Sequence, residues 1–519
     1  MPEIGERRVR TATFVVAASD SMVQDKAMAD YVCDGVNDHV EIQAALDALP
    51  ATGGEVKLLD GAYYIGVSLV LDSYQTLKGA GRSTILTSSG GLASGITATG
   101  GPGTEKVGIV IADLCIDGNA GGSSITNLIV WSYVDDSKIL NCWLQDCSQA
   151  IRIDYSDRDR IIGCHISGCS TRALNLQYCT YLKFDESTIV NSSEGAYIFN
   201  CSYFSSFDSL IDFNSGYGID SLGSTDSAII GSSFNGNLTG LTCILLDNNS
   251  DRAILDGNHI IGGKWGVEMD EAPNSIISNN IIRGNRRDGI YASSSNNCSF
   301  LNNIIFENSQ ETDNSYSGIS LYDCDDCKIA ENIIRRGALT NHHQYGINIS
   351  HSSCDRCVIS DNDLYDSGDT ANFRNVGTLT TVGTDNKGIQ ITDIKEYSYV
   401  KNTSGGARAV GDVVSLKSVA AGNEVTAPTA DGERQVYGMV AETINDNAWG
   451  FVQVKGKTTA LKATNVGGGN IVIGDFLITE NGVRARKATA ATDPIFARAL
   501  EALAAADGVI DAYIVSPWH

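Results

Sequence analysis

Residues 254–306 read ILDGNHIIGGKWGVEMDEAPNSIISNNIIRGNRRDGIYASSSNNCSFLNNIIF. Two short patterns alternate in this stretch. One is a small residue followed by apolar–x–apolar, as in GVEM and GIYA. The other is Asn followed by x–Ile, at Asn258, Asn280 and Asn303. Working outward, the first pattern recurs with its leading apolar residue at Ile151, Leu174, Tyr197, Ile219, Ile244, Val267, Ile290, Ile319, Ile347 and Ile389. The Asn pattern continues at Asn332 and Asn362, and Cys142, Cys164, Ser187, Ser209 and Ser233 hold its place in earlier repeats. A third series lies five residues further on: Cys147, Cys169, Ser192, Asn214, Asn285 and Asn308.

Short strands about every 22 residues, with Asn at the bends, suit a right-handed parallel β-helix. Each coil rises ~4.8 Å, so equivalent residues stack. A stacked Asn can bond the backbone of the next coil at a turn that has no regular partner. A leucine-rich repeat lacks its Leu framework here, and a propeller has the wrong period. The two CxxC pairs, Cys324/Cys327 and Cys354/Cys357, fall at equivalent places in adjacent coils, so they read as stacked core thiols rather than a zinc site.

An open solenoid end aggregates unless capped. Asp38–Leu49 (DHVEIQAALDAL) places Val40, Ala44, Ala45, Leu46 and Leu49 at helical spacing before Pro50. The run DGVNDHVEIQAALDALPATGGEVKLLDGAYYI (34–65), followed by LKGAGRSTIL (77–86), resembles the opening of pectate-lyase-like right-handed β-helix proteins. That family includes phage tailspikes and polysaccharide depolymerases. The resemblance spans roughly 30–400. It implies a helical cap and polysaccharide as partner, and leaves open hydrolase, lyase, epimerase or inactive binder.

Composition divides the chain. The 37 Lys+Arg and 62 Asp+Glu give −25. Residues 401–519 hold 11 basic and 12 acidic residues, so residues 1–400 carry −24. All 14 cysteines lie at or before Cys357. The expected organisation is a cap region over 1–60 (helix 38–49), a β-helix over 61–400, and a C-terminal β-barrel or sandwich over 401–519. Such acidity argues against nucleic acid as a partner, and no apolar run is long enough for a membrane helix. MPEIGERRVR shows no apolar leader, so synthesis in the cytoplasm and action on a virion or outside a cell are expected. VYGMVAETINDNAWGFVQVKGKTTAL (436–461) resembles small phage capsid-associated β domains, which implies virion partners; the tailspike resemblance implies a homotrimer.

In each apolar–x–apolar–x strand the x residues face outward. Acids cluster there at Asp220, Asp247, Glu268 and Asp270, followed by Tyr291 and Tyr322. Glu268 and Asp270 are two apart on one face, roughly 6.5–7 Å. An inverting glycosidase holds its carboxyls about 6.5–9.5 Å apart and a retaining one about 5–5.5 Å. Inserts before Gly318, Gly346 and Gly388 carry Tyr316, His342, His343 and Arg374, which would wall the groove and bind sugar. Three readings stand. In a hydrolase, Glu268 or Asp270 is acid or base. In a lyase, Asp247, Glu268 and Asp270 ligate Ca²⁺, although no basic residue is evident on the strands beside them. The third is a solvated acidic face on a non-catalytic virion or receptor-binding protein.

Overall fold

The computed structural model describes residues 12–118, 124–236, 241–389, 395–416, 424–427, 436–446, 448–464, 470–471, 473, 475–479, 484–489, 495–503 and 507–515. It divides into two compact units: Met1–Ser320 with Arg335–Tyr345 and Gly368–Thr370, and Leu321–Ile334 with Gly346–Ser367 and Ala371–His519.

The first unit is a right-handed parallel β-helix. Every coil contributes three short strands, such as Lys138–Leu140, Trp143–Gln145 and Gln149–Asp154. Each strand pairs in parallel with its equivalent in the next coil: Ile139↔Ile161, Leu144↔Ile166 and Ile151↔Leu174. The middle residue of each three-residue strand points inward, so Ile161, Phe184, Ile166 and Ile189 are fully buried. Stacked Ile, Leu and Phe thus form a continuous dry core, worth about 1.5–3 kcal/mol per side chain.

Bends between strands are where backbone groups lose their ladder partners. The Asn series supplies them. Asn280 Oδ1 accepts from the Asn258 N–H at 2.9 Å, and Asn280 Nδ2 donates to Leu255 O (2.9 Å) and to Asn303 Oδ1 (3.0 Å). Ser187 and Ser209 do the same with hydroxyls. The residue between Ser209 and Asn258 is Ser232, not the expected Ser233: Ser232 Oγ receives the Ser209 N–H, while Ser233 opens the next strand opposite Leu210. Gly163 shows why such bends are selective. It adopts φ 65°, and a Cβ there would sit 2.5 Å from Asn141 Oδ1.

The cap helix is His39–Asp47. Its buried residues are Ile42, Ala45 and Leu46, with Leu49 beyond its end. Val40 and Ala44, expected inward, face solvent because the i, i+3, i+4, i+7 stripe starts at Ile42. The solenoid begins earlier than the cap: Ala12–Ala17 pairs in parallel with Gly54–Leu58. Asp38 is buried, and its carboxylate accepts the Gly35 and Tyr64 N–H groups at 2.8 and 2.7 Å.

The second unit holds parallel strands Lys328–Ala330, Val358–Ser360 and Thr381–Val382, with Asn332, Asn362 and Asn386 as their ladder. Cys324, Cys327, Cys354 and Cys357 are buried, stacked thiols; Cys357 Sγ donates to Cys324 O at 3.4 Å. Val382 then pairs antiparallel with Lys395.

The C-terminal part is more elaborate than one barrel. Strands Lys395–Asn402, Trp449–Thr464, Val436–Val440, Val413–Leu416 and Glu424–Thr426 close a five-stranded ring. Trp449–Thr464 continues into a second five-stranded ring with Asp507–Ile514, Ala497–Ala499, Phe476–Thr479 and Ala485–Lys487. Each ring has its own core, one around Val400, Val414, Val425 and Val452, the other around Leu461, Leu477, Phe496 and Ile510. Closing a sheet on itself leaves no free edge.

Candidate functional site

The four predicted acids lie on the outward face of one parallel sheet in the first unit. Register places Asp220 beside Leu245, Glu268 and Tyr291 in one row. Leu222, Asp247, Asp270 and Ser293 form the next. Inward residues alternate with them: Ile244 and Leu246, Val267 and Met269, all fully buried. One coil earlier the register differs from expectation. Tyr197, not Ile198, is the outward neighbour of Asp220, because Ala196 takes the inward place opposite Leu174 and Ile219. Ile198 is fully buried.

The acids differ in environment. Glu268 is half-buried and accepts a 2.5 Å hydrogen bond from Thr242 Oγ1. Burial raises its pKa above the ordinary carboxylate range, Asp270 and Asp247 add to that, and Thr242 and Lys264 oppose it. Asp220 is pushed up to about 6, mainly by burial, then by Glu194 and Asp247 and against Arg172. Burial also raises Asp247. Asp270 is exposed.

Basic and aromatic groups flank this face; Lys264 and Arg287 stand in turns rather than on the strands beside the acids, where no basic residue is expected. Arg172 Nε pairs with Glu194 Oε2 at 2.8 Å, and its guanidinium lies 3.7 Å over the Tyr197 ring. On the other side, Trp265 stacks on Tyr291 with ring centroids 6.0 Å apart. Lys264 Nζ lies 4.1 Å, and the Arg287 guanidinium 4.8 Å, over Trp265. Arg287 also lies 5.3 Å over Tyr316 and pairs with Glu311 at 2.9 Å. The repeat places these groups: Lys264 and Arg287 occupy equivalent positions of adjacent coils, and the Arg287 N–H donates to Lys264 O. They stand in the turns just before the strands, so a scan of strand positions passes over them. The available signal is a cation two or three residues ahead of the strand-opening Gly266 and Gly289.

Each of the other predicted binding residues has its own surroundings. His342 is half-buried with its Nδ1 3.1 Å from Asp369 Oδ2. His343 does not reach the groove: it is fully buried, and its Nε2 accepts the Asn308 N–H at 3.1 Å, extending the third series by one rung. In the second unit, Tyr322 is exposed and packs 4.7 Å from the His351 ring, and Arg374 Nη1 donates to Asn348 Oδ1 at 3.1 Å.

Among the described residues, two groups hold metal-type ligand atoms within 4.8 Å of one another, Cys33–Asp38–Glu41 and Asp313–His342–Asp369. The carboxylate oxygens of Asp247, Glu268 and Asp270 do not all lie within that distance of one another; Thr242 holds the Glu268 carboxylate. In the first group Asp38 is committed to backbone donors and burial pushes the Cys33 thiol upward. In the second, Arg336 holds Asp369 at 2.7 Å, and the cluster ties three inserts together as an ion-pair clip.

No curated protein matches this sequence. Among solved structures, the mannuronan C-5 epimerase AlgE6 A-module of Azotobacter vinelandii superposes with a TM-score of 0.52 at 18% identity, covering 69% of this chain and 96% of that one. Tailspike protein 3 of bacteriophage CBA120 gives 0.50 at 12% identity, covering 74% of this chain and 63% of that one. At these identities the likeness is one of fold. The model of the right handed beta helix region matches residues 105–234 and 223–404, more than half of the chain. The chain therefore belongs to the right-handed β-helix family.

Proposed function

We propose that this chain binds an extracellular polysaccharide along the sheet face bearing Asp220, Asp247, Glu268 and Asp270, and cleaves it by glycoside hydrolysis. The observation that carries this is a pair of carboxyls on one strand face in unlike environments. Glu268 is half-buried with its pKa raised, and Asp270, two residues on, is exposed. Environments that separate two carboxyls assign acid and base. Glu268 donates its proton to the leaving glycosidic oxygen. Asp270 takes a proton from the water that adds to the anomeric carbon. Their spacing along the strand, roughly 6.5–7 Å, suits inversion. Trp265, Tyr291 and Tyr316 offer sugar-stacking surfaces at one end, and Tyr197 at the other.

A second reading, a uronate lyase or epimerase, draws on Lys264 and Arg172, which stand within electrostatic range of Glu268 and Asp220 and would hold a sugar carboxylate. The fold shared with a mannuronan epimerase and a phage tailspike is compatible with both. On either reading the protein is a tailspike-like homotrimer carried on a virion or acting outside the cell. Incubation with acidic and neutral polysaccharides, with Ca²⁺ or EDTA, decides. New reducing ends without an unsaturated-uronate absorbance mean a hydrolase, and that absorbance means a lyase. Binding without either product leaves a receptor-binding protein. Light scattering should give a mass near three chains.

A further inference from the structure

One row of side chains runs against the −24 charge of residues 1–400. On a different sheet from the acids, Lys138, Arg160 and Lys183 stand in direct register on three consecutive coils. Their inward neighbours Ile139, Ile161 and Phe184 are fully buried, so the three cations project outward; Lys138 and Arg160 are exposed and Lys183 half-exposed. Among the described residues, none of the three forms an ion pair or donates a side-chain hydrogen bond. Asp136 and Asp185 lie only within longer electrostatic range. Like charges directly opposite on neighbouring strands destabilise a sheet. Among the described residues, this row's mutual repulsion is not offset by any direct ion pair.

The row borders a cleft of about 480 Å³, lined by Lys138, Arg160, Lys183, Asp136, Arg158 and Tyr181. Asp136 pairs with Arg158 through bonds of 2.8 and 2.9 Å, and the same guanidinium also meets Asp157 and Asp135. Tyr181 ends an aromatic stack. Tyr203 covers one ring face at 4.6 Å, yet Tyr181 remains 51% exposed.

We propose that this cleft is a second glycan site, separate from the acidic face, which takes an acidic polysaccharide with one carboxylate per sugar. Cations repeat at the coil rise of ~4.8 Å, close to the length of one sugar ring. A strand of duplex nucleic acid carries a charge every ~3.4 Å along the axis, out of step with the cation row, which ends at Val110 on one side and Ser205 on the other. Tyr181 supplies the apolar wall that a sugar face needs.

The test is titration calorimetry on the full chain with galacturonate oligomers, their methyl esters and a single-stranded DNA of similar length. The variant K138S/R160S/K183S places at each position the residue that already occupies the next coil, Ser205, so folding is preserved; an unchanged unfolding midpoint checks this. Wild type should bind the acid oligomers. The triple variant and the methyl ester should each weaken binding by at least about tenfold, and Lys328→Ser, which removes an exposed strand cation outside the cleft, should leave it intact. Wild-type affinity in the triple variant, equal affinity for the ester, tighter binding of DNA, an equal loss of binding in Lys328→Ser, or no binding by wild type overturns the proposal.

Discussion

Thr242 Oγ1 reaches across one coil to donate a 2.5 Å hydrogen bond to Glu268 Oε2. This bond favours the ionised carboxylate, whereas burial favours the proton. Thr242→Val removes the opposing influence, so the Glu268 pKa rises further. A general acid is active while protonated, so the alkaline limb of kcat/KM should move to higher pH, by up to about one unit. A pH profile on a cleaved glycan measures this, and an unmoved limb assigns the proton donor elsewhere.

Removing the acid or the base should stop the chemistry without unfolding the coil. Glu268→Gln and Asp270→Asn keep size and strand pairing, because both side chains point away from the core. Each should cut kcat by about 10²–10⁴. Wild-type rates in both variants would move the reaction off this face.

The repeat was legible because a stacked fold writes one geometric rule many times. Asn280, Asn303 and Asn308 each meet the same unsatisfied backbone, so sequence period and structural ladder coincide. Sequence and structure part where a residue fits two adjacent places. Ser233 and Ser232 are chemically identical, and only the pairing with Leu210 separates them. Tyr197 looked like a core position because Gly195 and Ala196 are both small. The acids were visible as outward strand residues. Lys264, Trp265 and Arg287 were not, since turn residues obey no alternation. His343 continues a ladder across an insert, which breaks the spacing that marks the other rungs.

The ladder itself predicts a stability cost. Asn280→Ala takes the acceptor from the buried Asn258 N–H and removes one donor from Leu255 O. A buried, unsatisfied group costs about 1–3 kcal/mol, and a loss of that size is expected. Chemical denaturation should show a lower midpoint, and Asn280→Ser, mimicking the Ser rungs of earlier coils, should recover part of it.

Asp288 links stability to pH. It is buried, its carboxylate accepts the Ser317 N–H at 2.7 Å, and burial pushes it up to about 6. A carboxyl whose folded pKa lies above its unfolded value stabilises the fold when protonated. That contribution is full below the unfolded value of about 4 and is lost as pH rises through 6. Asp288→Asn keeps an acceptor for Ser317 and never ionises. It should raise Tm at pH 8, by at most about 3 kcal/mol of stability, and change little at pH 4. A larger gain at pH 4 than at pH 8 would contradict the burial argument.

Trp265 separates binding from chemistry. Its ring joins Tyr291 to Lys264 and Arg287, and an indole offers no group for proton transfer to the sugar. A stacking platform holds ground state and transition state alike, and uniform binding appears in KM. Trp265→Ala should therefore raise KM by about tenfold, in line with one lost stacking contact, with kcat nearly constant. If kcat falls and KM holds, Trp265 instead positions the reacting sugar, and the scissile bond lies at this end of the acid row rather than at its centre.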